Sequence, residues 1–254
     1  MTESLILITR PQEYPGVMTI RFNRQQKKNA ITIEMYGLMT KALEEAESDD
    51  SIRVIAFLGT SGCFSAGNDL AEFLAHSQRE DSAVGRPAAF DFLLRLASVE
   101  KTMVSGVDGL AIGIGTTLNL HCDLTIASTR SLFRTPFVDL ALVPEAGSSL
   151  LAPRAMGHQR AFALLALGEG FSADAARDAG LVWKVVDAEE VETETLALAA
   201  RLAAKPAGAL AAARELLRMD TGDVPRRIEE ELKYFRAQLA TNEARNAFET
   251  FLRR

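Results

Sequence analysis

The sequence is short of the residues that build metal centres and cross-linked scaffolds. Its two cysteines, Cys63 and Cys122, form neither a CxxC spacing nor a disulfide framework, so reduced, packed thiols are expected. Three histidines, His76, His121 and His158, are scattered with no HxxxH or HxH spacing, which argues against a metal site. There is no Walker-type phosphate loop. Gly113-Ile114-Gly115 is followed by Thr116-Thr117 and does not complete GxGxxG, so the usual nucleotide fingerprints are missing too. No run of about 18 apolar residues is free of charge, and no membrane span is expected. The opening MTESLILITR lacks the basic region, long apolar core and cleavage site of a secretory signal, which makes a cytoplasmic location the default expectation. A net charge of −6 argues against nucleic acid as a main partner.

What is present is an ordinary globular composition. The 254 residues are 48% apolar and 24% charged, enough to bury a large core. Short apolar segments at 5–9, 17–22, 54–58, 103–107, 124–127, 132–135 and 181–186 read as strands, with helical patterns between several of them. Such alternation means an α/β fold with largely parallel strands. From 191 onward only helical patterns remain, at 196–204, 207–217, 225–239 and 242–252. We therefore expect a core over 1–190 and a helical region over 191–254, whose apolar stripe, including Phe235, Leu239, Phe248 and Phe251, needs the core or another subunit to cover it. The polar segment 77–86 reads as a mobile surface loop.

The chain is organised around the almost wholly uncharged stretch from Val107 to Asp123. Gly109, Gly113 and Gly115 allow tight turns and close approach, and 116–121 reads as a short buried helix with His121 as a hydrogen-bonded core residue. The free N–H groups at that helix start would favour developing negative charge, and no Lys or Arg in the stretch competes for the role. A buried strand-turn-helix crossing is the plainer reading.

Several segments decide between them. Phe22-Asn23-Arg24 with Asn29-Ala30, Phe64-Ser65-Ala66-Gly67-Asn68-Asp69-Leu70, the glycine-rich stretch, Pro144-Glu145-Ala146-Gly147, and the segment from Phe171 to Val182 occur in order across essentially the whole chain. Together they resemble the crotonase superfamily, the enoyl-CoA hydratase/isomerase family. The resemblance implies a ClpP/crotonase-like α/β fold, a superhelical core of repeated ββα units with a C-terminal α-helical trimerisation module, assembled as a homotrimer or a dimer of trimers.

It also implies an acyl-CoA thioester as substrate, with no metal and no redox cofactor. By position, the backbone N–H groups of Asn68 and Ile114 would hold the thioester oxygen as it becomes an enolate. Coenzyme A contacts would come from Arg24, Lys28, Ala30, Ala66, Gly67, Asn68 and Gly113; the basic residues could equally be a solvated loop. Where related hydratases carry two glutamates this chain has Thr117 and Phe137, neither of which can act as a base. Glu145 instead lies where the peroxisomal-type Δ3,Δ2-enoyl-CoA isomerases place their single acid. Its apolar surroundings would raise its pKa, while the helix beginning near Ser148 would act oppositely. Glu145 could alternatively cap that helix, and Asp139 is the fallback base. The expected activity is isomerisation of a 3-enoyl-CoA; the alternatives are a hydratase, a hydrolase or dehalogenase using an acid near 145 as nucleophile, and a non-catalytic acyl-CoA binder.

Overall fold

A computed structural model of the chain describes residues 4–72, 87–218 and 222–252. The expected loop at 77–86 lies outside them. The continuous apolar run Val54–Leu58 forms a strand buried at every residue, as a strand covered on both faces must be. It is the third strand, β3, of a six-stranded sheet ordered β1 (Ile6–Thr9), β2 (Val17–Phe22), β3, β5 (Thr102–Val107), β7 (Leu124–Ser128) and β10 (Lys184–Val186). Only β1 and β2 pair antiparallel; the other neighbours are parallel. A smaller sheet runs β4 (Cys63–Ser65), β6 (Leu110–Ile112), β8 (Leu132–Arg134) and β9 (Phe171–Ser172). The strands β3, β5 and β7 are each followed at once by a strand of the small sheet, which is the winding of repeated ββα units.

Helices cover both faces of the large sheet. On one face lie α1 (Ile33–Ser48) and α2 (Ala88–Ser98), which share a core with Phe57, Met103 and Val107. The stripe expected for α1 is buried at Met35, Met39, Ala42, Leu43 and Ala46, and Thr32 caps its start by accepting the Met35 N–H at 3.2 Å. Shorter helices follow: α3 (Ile114–Thr117), α4 (Ser148–Met156), α5 (His158–Leu165) and α6 (Ala173–Asp178). On the opposite face α7 (Val191–Ala203) packs against Val54, Ala56, Val104 and Ile126. The helical region thus begins with a helix that belongs to the sheet. Beyond it come α8 (Ala207–Arg218), α9 (Asp223–Leu239) and α10 (Asn242–Leu252); α9 packs on α2 and α4. Phe248 is fully buried, and Phe235 and Leu239 pack partly buried on the same core. The chain itself therefore covers most of the tail stripe, leaving Phe251 half exposed. The barest apolar side chains among the described residues lie on α8, where Leu216 and Leu217 are 81% and 82% exposed.

The turns that carry the chain between sheets are stacked. Asp108 accepts the Gly62 N–H at 2.7 Å and pairs with Arg130 at 2.6 Å, tying three successive crossings together. Gly109 packs so closely on this stack that a Cβ there would lie 1.9 Å from the Gly62 carbonyl oxygen, and its φ is +75°. Both cysteines are free, and burial pushes their thiols up, to about 11 at Cys63 and about 12 at Cys122. Because the obstacle at Gly109 is backbone rather than a flexible side chain, Gly109→Ala is expected to destabilise the protein by on the order of 3 kcal/mol or more, read as a lower midpoint in urea unfolding.

Candidate active site

The site grows from a buried asparagine. Asn29, at φ +52°, is fully buried; its amide donates to Thr60 Oγ1 at 2.9 Å and to the Cys63 carbonyl at 2.8 Å, and its Oδ1 accepts the Arg24 N–H at 2.8 Å. These bonds lock the 24–30 loop against β4. The Ala66 N–H then donates to the Lys28 carbonyl, the Ile31 N–H to the Gly67 carbonyl, and the Asp69 N–H to the Ile31 carbonyl. The Asn68 N–H is skipped by this pattern and has no acceptor among the described residues. Arg24 spends its guanidinium on Asp69, at 2.8 Å, and on the Ala30 carbonyl, so it shapes the loop. Lys28 is exposed.

The second donor comes from the glycine-rich stretch. The helix expected at 116–121 begins earlier, at Ile114, and tightens into a 3-10 turn at Leu118–Leu120. Gly113 starts it with φ +56° and ψ −121°, its own N–H donating to the Arg134 carbonyl while its carbonyl takes the Thr116 and Thr117 N–H groups. The Ile114 N–H has no acceptor among the described residues. The two turns touch: a Cβ on Gly67 would lie 2.9 Å from the Ile112 carbonyl oxygen and 3.8 Å from Gly113 Cα. Two unengaged N–H groups, at Asn68 and Ile114, thus follow two backbones in contact, an arrangement suited to a developing oxyanion. Of the residues expected at coenzyme A, Ala66, Gly67, Asn68 and Gly113 lie along these joined turns, while Arg24, Lys28 and Ala30 lie on the 24–30 loop, which the Ala66 N–H joins through the Lys28 carbonyl.

Glu145 faces the same place. Its Oε1 accepts the Thr117 hydroxyl at 2.7 Å, and Thr117 is three residues from Ile114. Burial raises its pKa to about 7, against the opposing Thr117 hydrogen bond and with help from the charge of Glu231. Tyr36, on α1, donates to Asn68 Oδ1 at 2.5 Å and is itself pushed well up, by burial and then by the Glu145 charge. The tyrosine links the Asn68 side to the Glu145 side. Phe137 is buried in the core, so neither it nor Thr117 supplies a second acid. Asp139, the fallback, is 52% exposed and pairs with Arg134 at 3.0 Å, whereas the Glu145 carboxyl is desolvated.

Nor does Glu145 cap α4. That helix starts at Gly147 with no side-chain cap of its own, and Glu231 from α9 fills the role: it accepts the Gly147 N–H at 2.6 Å, the Ser149 N–H at 2.9 Å and the Ser149 hydroxyl at 2.5 Å. From the other side, His121 Nε2–H donates to the Ala146 carbonyl at 2.7 Å. Burial holds this imidazole neutral, its pKa lowered to about 4. Sequence reading placed His121 in the core but missed Tyr36 and Glu231. Tyr36 sits one position off an apolar stripe, and Glu231 is the last of three adjacent glutamates, so no local signal separates either from its neighbours.

Comparison with known proteins agrees with this geometry. The enoyl-CoA hydratase/isomerase family profile matches residues 12–254. Enoyl-CoA delta isomerase 2 of Rattus norvegicus is 34% identical over 242 residues, 94% of this chain; the chain spans 62% of that relative's length. The 1,2-epoxyphenylacetyl-CoA isomerase of Escherichia coli (strain K12) is 34% identical over 194 residues, 75% of this chain and 74% of the relative. The solved structure of an enoyl-CoA hydratase/isomerase from Pseudoalteromonas atlantica T6c superposes with a TM-score of 0.91 at 32% identity, covering 98% of this chain and 97% of that one.

The burial of Glu145 has a consequence for stability. An ordinary glutamate ionises near 4.5 and the folded Glu145 near 7. Between those values the folded chain keeps a proton that the unfolded chain has lost, so stability falls as the pH rises through about 7. Removing the group by Glu145→Gln is expected to raise unfolding free energy at pH 8 by on the order of 3 kcal/mol and to change it little at pH 4.5. Urea unfolding at the two pH values measures the difference.

Proposed function

Since the chain belongs to the enoyl-CoA hydratase/isomerase family, with the crotonase fold, we propose that it isomerises 3-enoyl-CoA thioesters to the 2-trans-enoyl form. The observation that carries this reading is one carboxyl, Glu145, held by the Thr117 hydroxyl beside two unengaged backbone donors, with Thr117 and Phe137 where a hydratase needs its acids. The ionised Glu145 takes a proton from C2. The electron pair moves onto the thioester oxygen, giving a dienolate whose negative charge the Asn68 and Ile114 N–H groups stabilise; one such donor is typically worth about 10²–10³ in rate. The protonated Glu145 then returns the proton to C4, the C3–C4 double bond becomes C2–C3, and the carboxylate is regenerated. One residue serves both carbons because they share a face of the flat intermediate. A pKa of about 7 suits a group that must accept and donate in one cycle at neutral pH. Thr117, donating to Oε1, fixes which carboxyl oxygen is engaged and leaves the other for the substrate.

The bare leucines of α8 support a second part of the proposal, that the subunit assembles with further copies of itself as a trimer. A single-subunit mass in sedimentation at micromolar concentration would exclude it.

Glu145→Gln is expected to remove about 10²–10⁴ of the rate at which 3-enoyl-CoA becomes conjugated 2-enoyl-CoA, while acyl-CoA affinity stays near wild type. Asp139→Asn should keep its activity, and the wild type should hydrate crotonyl-CoA poorly. Efficient hydration together with an active Glu145→Gln would sink the isomerase reading. The wild-type kcat/KM should rise with pH through about 7, since the base must be ionised.

A further inference from the structure

The turn that carries Glu145 is held by two parts of the chain with different chemistry. On one side stand the uncharged groups of the glycine-rich stretch, the Thr117 hydroxyl on the carboxyl and the neutral His121 ring on the Ala146 carbonyl. On the other stands a buried acid from α9. Glu231 is 6% exposed, and three donors converge on its two oxygens, the arrangement of an ionised carboxylate. Those donors include the Gly147 and Ser149 N–H groups at the start of α4, which the Glu145 carboxylate two residues earlier could otherwise use.

We infer that Glu231 is the positioning residue of the proposed isomerase: by occupying the start of α4 it denies those donors to Glu145, turns the reacting carboxyl toward Thr117, and faces it with a second negative charge. The inference rests on Glu145 as the base, but its physical core, the effect of one carboxylate on another, stands apart from the reaction. A carboxylate that gained two backbone N–H bonds would be a weaker base, and a like charge nearby makes a stronger one. The direction found for Glu145 fits, with the Glu231 charge among its raising causes. Among the described residues, the other titratable group that feels Glu145 is Tyr36 from α1, which stays protonated. His121 meets the turn only through backbone and stays neutral. Burial raises the pKa of Glu231, while the Ser149 and Gly147 hydrogen bonds at the start of α4, and then Arg227 one turn earlier on α9, favour its ionised form.

Two substitutions separate charge from shape. Glu231→Gln keeps one acceptor oxygen but removes the charge and sets an NH₂ donor against a backbone N–H. Glu231→Asp keeps the charge and shortens the reach. In Glu231→Gln the Glu145 carboxyl, followed by ¹³C NMR of labelled glutamate and assigned by its loss in Glu145→Gln, is expected to titrate at clearly lower pH than in the wild type. The acid limb of kcat/KM should move with it, and kcat should fall about tenfold with little change in KM. In Glu231→Asp the titration should stay near the wild-type midpoint while kcat falls. A Glu145 midpoint unmoved in folded Glu231→Gln overturns the inference, as does a Glu231→Asp protein with wild-type kcat. An active Glu145→Gln would refute the isomerase reading and with it this positioning role, and the NMR midpoint would show separately whether the two carboxylates interact.

Discussion

The structure depends on the contact between two backbones, at Gly67 and Gly113. Both turns come from the small sheet, one leaving β4 and one leaving β6; Gly67 must omit a side chain for them to meet, and Gly113 is a glycine because its φ is +56°. A catalytic donor pair needs its members a few ångströms apart, and side chains on flexible stems would have to be ordered to achieve it. Backbone N–H groups on strands already in register need no such ordering. The large sheet, the stacked turns around Asp108 and the buried Asn29 all act to hold those two turns in place.

Against that fixed donor pair, the acid sits on a turn with little regular structure of its own. Ala141 and Ala146 both adopt positive φ, at 54° and 62°, in the segment that presents it. Left-handed backbone at alanine is costly, so the surroundings must over-determine the conformation. They do so with a hydroxyl, an imidazole and a carboxylate from three elements. The buried setting that fixes the turn also raises the Glu145 pKa, so strain and basicity have a common origin.

Much of this was legible in the sequence. The run at 54–58 and the stripe of α1 announce themselves because burial on one or two faces imposes a period. The donor turns were legible through their glycines. The strands β4, β6 and β9 were not, being two or three residues long, too short to show a period. The start of α3 was misplaced for a related reason, since its cap is a glycine in an unusual backbone conformation and offers no side chain to read. The tail was read as needing cover, but its amphipathic pattern could not say whose core would supply it; Phe248 turns inward and Leu217 does not. Glu231 was invisible because its meaning depends wholly on a contact distant in sequence.

That distance sets a timetable. The acceptor for the Gly147 N–H lies 84 residues further along the chain, on a helix that must first fold back over α2 and α4. While the chain is being made, the sheets and both donor turns can form from residues already released, yet the start of α4 remains uncapped. In chain order the donor pair is therefore complete well before the residue that caps the acid's turn, and that cap waits on the docking of α9.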